Sequence, residues 1–419
     1  MVQRFDRNAE TESTQEPEGT ESKTSGVFPR AGQRAEAGWG FVLPSLDGSR
    51  YDVALATNGG VIGSGEQAAT RISGPDVAPE HARIEVRADG VYLEDLNSPS
   101  GTYVGGVRAR RIGVSHGDVV RFGNRLAVFV ERGLARYAGD GETSPLVAGP
   151  HSRALYIEPA LQHAEAGRSF SIEGGPGMGK RTLAELAAKK REGAGPMVVI
   201  DGAEGRPDAV TQARAQKPMT WVVLHAEKLP RPAQIELAQA VGRTPGAMAI
   251  ATLQIPLDRA LADGLIAPAL ATLFNGRRVP IPPLNARRED IPGIVWSLAR
   301  KLGIEESRLS TELIEVIARA GWPGGVTEIA EVLGEAAAST EGVMTASAIQ
   351  RTLQRPPSLP PSPPAHDDPA LARARLLDAL AKANGSIASA ARTLGMSRQA
   401  VYREAQRLGL DVGKRRASK

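Results

Sequence analysis

Changes in the spacing of apolar residues divide the chain into regions. Within 39–132, short β-favouring runs at 51–55, 82–86, 91–93 and 126–130 alternate with turns rich in Gly, Asp, Asn and Ser. That rhythm predicts an all-β sandwich. After a connector near 137–150, apolar runs at 170–173, 197–201, 221–224 and 247–252 are separated by Ala- and Leu-rich stretches. Strands alternating with helical segments predict a parallel α/β layer. Helical periodicity then dominates 291–353, and the segment 355–364 holds six prolines, which suits a semi-rigid spacer. Further on, Leu376, Leu377, Leu380, Ile387, Ala391, Leu394, Val401 and Leu408 recur at helical spacing. Breaks at Asn384-Gly385 and Gly395-Met396 predict three short helices. Residues 1–38 carry too few apolar groups to offset the entropy of ordering and are expected to form a disordered arm.

The expected organisation is therefore multidomain. It comprises an arm (1–38), a β-sandwich (39–135), an α/β domain (150–290), a helical segment (291–353), a Pro-rich linker (354–368), a small all-α unit (369–411) and a basic tail (412–419). A length of 419 residues accommodates several modules, and 41% hydrophobic with 23% charged residues is a globular composition. The absence of cysteine excludes disulfides, thiol nucleophiles and thiolate zinc sites, and it fits a reducing compartment. The six histidines show no ligand spacing, so no metal is expected beyond magnesium accompanying a nucleotide. No apolar run approaches the ~20 residues a membrane span needs, and 1–15 lack a signal core. The expected location is cytoplasmic, without a membrane partner. A net charge of +4 is small for this length, but Lys414, Arg415, Arg416 and Lys419 concentrate positive charge at the C-terminus.

In the C-terminal unit, Gly395 suits the left-handed turn between the second and third helices, and Ser397 is placed to cap the third. The stretch GSIASAARTLGMSRQAVYREAQRLGL, 385–410, resembles the Fis-type helix-turn-helix. The resemblance implies that the third helix enters the major groove of double-stranded DNA. Arg398, Gln399, Tyr402 and Arg403 would then face bases and phosphates, Arg407 would extend the basic face, and Ser386 and Arg392 would lie near the DNA backbone. A merely solvated helix face would mix signs more evenly than these arginines beside the single Glu404.

In the α/β region, Gly174, Gly175, Pro176, Gly177, Met178, Gly179 and Lys180 form a glycine-rich loop between a strand and a helix. Backbone amides, the lysine and the helix N-terminus make this a Walker A candidate for ATP or ADP, with Arg181 where Ser or Thr is usual. A glycine-rich turn inherited with the fold and holding nothing is the equally weighted alternative. Residues 154–353 resemble the AAA+ domain of sigma-fifty-four enhancer-binding activators, with VPIPPLNARREDIP at 279–292 and GWPGGVTEI at 321–329 similar to the lid-entry and sensor segments. Arg277, Arg278, Arg287 and Arg288 read as exposed loop charges rather than a second nucleic-acid surface. Several parts of the family's machinery are missing. Leu224 and His225 stand where the family has its Asp-Glu pair, with Glu227 displaced. Ala267 and Leu273 stand at the paired arginines, and Thr327 at the lid arginine. The 181–220 interval has no GAFTGA-like loop, which argues against sigma-factor contact. Hydrolysis needs a magnesium-binding acid and a group that activates water. The expectation is a degenerate ATPase that binds nucleotide without turning it over.

The sandwich resembles the forkhead-associated (FHA) domain in VIGSG from Val61, APEHARI from Ala78, LEDLNSPSGTYVGG from Leu93 and HGDVVRFG from His116. The resemblance implies that His81, Gly101 and Thr102 brace the loops. At the phosphate-reading places stand Ser64, Ala78 and Ser100, and Gly105 replaces the usual Asn of the following turn. Without the family's arginine, the strongest charge-assisted bonds to a phosphate are lost. Arg71 or Arg83 would have to substitute. The preferred reading is a protein-binding module that does not require phosphorylation. The whole chain then reads as a homo-oligomeric transcription regulator, with an ATP-hydrolysing sigma-fifty-four activator and a phosphothreonine adaptor as alternatives.

Overall fold

A computed structural model describes residues 38–354, apart from Pro75, 192–194, 205–218 and Asn275, together with 376–377, 379–381, 383 and 410. Packing divides the chain into two units, 1–354 and 355–419. The expected arm apart from its last residue, the Pro-rich linker apart from Gln354, which ends a helix, and the basic tail lie outside the described residues, as does most of the three-helix unit. In the second unit, Leu376 and Ala379 are buried and Leu377 is exposed, consistent with one amphipathic turn.

The sandwich consists of two sheets. The first is ordered β12 (Gly139–Asp140), β2 (Arg50–Leu55), β1 (Gly40–Pro44), β11 (Arg125–Val130), β10 (Val119–Phe122), β7 (Thr102–Val104) and β8 (Val107–Arg108). The second is ordered β4 (Thr70–Arg71), β3 (Gly60–Gly63), β5 (Ala82–Val86), β6 (Val91–Asp95) and β9 (Arg111–Val114). Alternate positions of β5 and β6 point inward, so Ala82, Ile84, Val91 and Leu93 meet Phe41, Phe122 and Phe129 from the first sheet. Phe41 and Phe122 pack edge to face at 5.3 Å, and Trp39 does the same on Phe129 at 5.7 Å.

The α/β domain has one parallel sheet ordered β14 (Met197–Asp201), β15 (Thr220–Leu224), β16 (Met248–Leu253), β13 (Phe170–Glu173) and β17 (Arg278–Pro280). Every residue of β13, β15 and β16 is buried, as expected for strands covered on both faces. Helices α1 (Glu158–Glu165) and α2 (Lys180–Lys190) cover one face, and α3 (Arg231–Arg243), α4 (Leu257–Ala262) and α5 (Pro268–Phe274) cover the other. The four helices that follow are α6 (Ile291–Lys301), α7 (Thr311–Arg319), α8 (Gly325–Ala338) and α9 (Ala346–Gln354). The Ser310 hydroxyl caps α7 by accepting the Leu313 amide at 3.2 Å.

The expected connector is integrated into the fold. Residues 139–140 pair with β2, and Glu142 bridges Ala148. The outer faces of β10 and β11 are covered as well, since Val119 and Leu126 belong to the same core as α6 and α7. This second contact explains why β10 is buried at all four positions. Arg121 lies within that contact, donating from Nε to Glu315 of α7 at 2.8 Å and stacking 3.9 Å from the Tyr103 ring centroid. Gly48, in the β1–β2 turn, approaches so closely that a Cβ would meet the Gly293 Cα at 2.8 Å. Glycine on both sides is what lets the sandwich reach the first turn of α6.

The arginine pairs differ from the exposed loop charges expected. Arg278 lies in β17 and grips the buried Glu173 carboxylate with two bonds of 2.7 Å. Arg287 is 3% exposed and donates to the Tyr156 hydroxyl at 2.8 Å. Arg277 and Arg288 donate to the Ser169 and Gly117 carbonyls. Buried acids and loop carbonyls need donors, and in each case a nearby arginine supplies them.

Beside Arg287, Glu289 and Asp290 are buried where the sandwich, the connector and the α/β domain meet. Asp290 accepts the Gly149 amide at 2.7 Å and lies 3.5 Å from Arg287 Nη1, whereas Glu289 Oε1 has no partner. Burial, with the neighbouring Asp290, pushes the Glu289 carboxyl up to about 8. The folded chain thus keeps a proton that the unfolded chain has lost, in the window from the ordinary value of 4.5 up to about 8. Glu289 stabilises the fold fully below that window, and its contribution is lost as pH rises through it, by up to about 1.4 kcal/mol per pH unit. Glu289→Gln should flatten this slope in urea titrations between pH 5 and 8. Parallel slopes in the two proteins would refute the assignment.

Candidate functional site

The glycine-rich loop leaves the C-terminal end of β13 and opens α2, at the rim of the sheet where α/β proteins bind ligands. Lys180 is 7% exposed and donates to the carbonyls of Gly174 and Gly175 at 2.7 and 2.5 Å. Burial lowers its ammonium pKa, and the Glu227 carboxylate opposes that shift. Gly177 has φ of 63°, and a Cβ there would lie 1.9 Å from the Gly324 carbonyl. Only glycine fits, because the start of α8 rests on the loop, with the Val326 amide donating to Gly177 O at 2.9 Å.

A cavity of about 340 Å³ beside the loop is lined by residues that include Lys180, Arg181, Asp201, His225, Thr252 and Thr327. On the other side of Gly179 a smaller cavity of about 110 Å³ is lined by Leu146, Val147, Tyr156, Ile294 and Leu298 among others. Met178, Gly179, Thr182 and Val326 border both. Asp201 was not singled out in the sequence beyond ending a strand. Its carboxylate lies 2.9 Å from His225 Nδ1 and accepts the Ala203 amide at 2.9 Å. Burial would raise its pKa, but these hydrogen bonds and the Arg181 charge hold it below the ordinary value. His225 adopts φ of 48° and donates its backbone amide to Thr252 Oγ1 at 3.1 Å.

Leu224 is buried at the end of β15, and Ala267 is buried with its amide bonded to Gln234. Leu273 is half-buried, and Thr327 is exposed near Gly177. Arg181 turns along α2 to pair with Glu185 at 2.8 Å. Among the described residues, no group of three His, Asp or Glu is arranged to hold a metal. Among the described residues that line the loop cavity, Asp201 is the one carboxylate.

At the sandwich loops, His81 is fully buried. Its Nδ1 accepts the Ala78 amide at 3.0 Å, which leaves Nε2 to carry the proton and donate to Gly101 O at 3.2 Å. Burial lowers the pKa of the ring. Asp95, not singled out in the sequence, accepts from Ser98 at 2.6 Å and from Thr102 at 2.8 Å. Ser64 donates to Val77 O at 2.7 Å and Ser100 to Asp76 O at 2.5 Å, so both hydroxyls serve the loops themselves. Arg71 and Arg83 are exposed, and Arg108 lies over Gly101. The DNA-contact residues expected from the sequence, Ser386, Arg392, Ser397, Arg398, Gln399, Tyr402, Arg403 and Arg407, lie outside the described residues.

These features define a multidomain chain with an N-terminal β-sandwich and a parallel α/β domain followed by four helices. Comparison with known proteins agrees. The FHA domain family matches residues 60–123, and the family described as bacterial regulatory protein, Fis family, matches 372–404. The chain is 36% identical over 141 residues to the Nif-specific regulatory protein of Klebsiella pneumoniae, covering 31% of this chain and 27% of that protein. It is 29% identical over 164 residues to the propane 2-monooxygenase operon transcriptional activator MimR of Mycolicibacterium smegmatis, covering 38% and 26%. These matches thus span about a quarter of each relative. NtrX from Brucella abortus in complex with ADP aligns over 62% of this chain and 68% of its own, with 19% identity and a TM-score of 0.41. Among the described residues no helix is long and apolar enough to cross a membrane.

Proposed function

We propose that this chain is a cytoplasmic, sequence-specific DNA-binding transcription regulator whose AAA+-like domain binds nucleotide without hydrolysing it. The observation that carries the reading is the Fis-family match at 372–404, which includes Arg398 and Arg403. Similarity to transcriptional activators supports it. One recognition helix reads too few bases for genomic specificity, so paired half-sites and a homo-oligomer follow.

Loss of hydrolysis is supported by the buried Leu224 and by His225 at the places of the acids, and by Ala267, Leu273 and Thr327 at the arginine positions. His225 is hydrogen-bonded to Asp201 and lies beside the loop, and among the described residues no group of three histidines or carboxylates is arranged to hold a metal there. The FHA sandwich contributes protein contacts that do not depend on phosphate, since Ser64 and Ser100 spend their hydroxyls on loop carbonyls. The lack of a GAFTGA-like sequence between 181 and 220 supports regulation through DNA occupancy rather than through sigma-factor remodelling.

Steady-state ATP turnover by the full chain, with and without DNA, tests the catalytic half of this reading. The expected rate equals that of Lys180→Ala. Turnover that disappears in the variant would instead establish a working motor.

A further inference from the structure

We infer that the loop pocket takes a nucleoside diphosphate without a divalent metal, in preference to a magnesium-bound triphosphate. The inference deepens the nucleotide-binding reading above and rests on it. Two cavities meet at Met178, Gly179, Thr182 and Val326. The larger, about 340 Å³, adjoins the loop amides and Lys180, while the smaller is lined by Leu146, Val147, Ile294 and Leu298 together with Arg287, Ser297 and Lys301. A ligand that serves both has an anionic end for the loop and a flat end of mixed polar and apolar surface, as a nucleotide does.

The charge inventory then selects the length of the phosphate chain. Loop amides at a helix N-terminus, with one lysine, suffice for a diphosphate. A third phosphate adds negative charge that a metal or further arginines normally neutralise. Among the described residues no three histidines or carboxylates gather to hold a metal, and the arginine that lines the cavity, Arg181 at the start of α2, pairs with Glu185. At the end of β15 stands the buried Leu224. The rim at the ends of β14 and β15 instead presents the Asp201 carboxylate, fixed by His225 at 2.9 Å and the Ala203 amide at 2.9 Å. A γ-phosphate reaching that rim meets a like charge.

The test is titration of the full chain with fluorescent ADP and ATP analogues, each in magnesium and in EDTA. ADP should bind with the same affinity in both buffers, and ATP about tenfold more weakly. Asp201→Asn should narrow the gap between the two nucleotides by strengthening ATP alone, whereas a merely structural role would weaken both alike. Tighter binding of magnesium-ATP than of ADP, or loss of ADP binding in EDTA, would overturn the inference. Binding of neither nucleotide, with Lys180→Ala indistinguishable from the parent, would overturn the underlying nucleotide reading as well.

Discussion

Arg121→Ala is expected to destabilise the N-terminal unit by about 3–5 kcal/mol, the usual cost of leaving one member of a buried ion pair without its partner. The side chains of Arg121 and Glu315 are only 8% and 4% exposed, with the Arg121 Nε donating to the Glu315 carboxylate at 2.8 Å. The same guanidinium donates to Gly123 O at 2.6 Å and approaches Glu312 at 3.3 Å. Removing it strands a buried carboxylate whose other oxygen already lacks a partner. Urea unfolding followed by tryptophan fluorescence reads the effect as a lower midpoint. Replacing both partners with apolar residues of similar volume, Arg121→Met with Glu315→Leu, should recover most of the loss, since no charge is then left buried alone. An unchanged midpoint in Arg121→Ala would show that the sandwich and α7 do not share this contact in solution.

Arg398→Ala combined with Arg403→Ala should abolish sequence-specific DNA binding while leaving the fold intact. A bidentate arginine–guanine contact is worth about 1–3 kcal/mol of discrimination, so losing two implies roughly 30-fold to 10⁴-fold weaker specific binding. A duplex selected from a random pool by the parent protein supplies the target, and fluorescence anisotropy measures affinity. Non-specific binding should fall less, because the C-terminal cluster Lys414, Arg415, Arg416 and Lys419 retains its attraction for phosphates. Equal affinity of the double variant for the selected site would remove these residues from the interface.

Strand positions in both β-containing domains were legible because alternation, or an unbroken apolar run, reports directly on burial. The run expected at 82–86 coincides with Ala82–Val86, and those at 170–173 and 197–201 coincide with Phe170–Glu173 and Met197–Asp201. The glycine-rich loop was legible because strand, glycines, lysine and helix are contiguous in sequence. Asp201 was not, because it reaches the loop only through the pairing of β14 with β15, which brings it beside His225. Arg278 and Arg287 were misread for a related reason. A charged residue next to a turn gives no sign that a buried acid or hydroxyl from a distant strand or helix lies within reach, as Glu173 and Tyr156 do.

By itself the sequence determined the β, α/β and helical character of the described regions and the contiguous strand, glycine-rich loop, lysine and helix at 170–190. Those are local properties, set by periodicity and by which side chain occupies a motif position. The tertiary structure alone decided that the sandwich is fastened to α6 and α7, that α8 closes onto the Gly177 loop, and that Asp201 stands at its rim. Each of these depends on groups far apart in the chain meeting at bonding distance, and the spacing of residues along one strand or helix carries no record of such meetings.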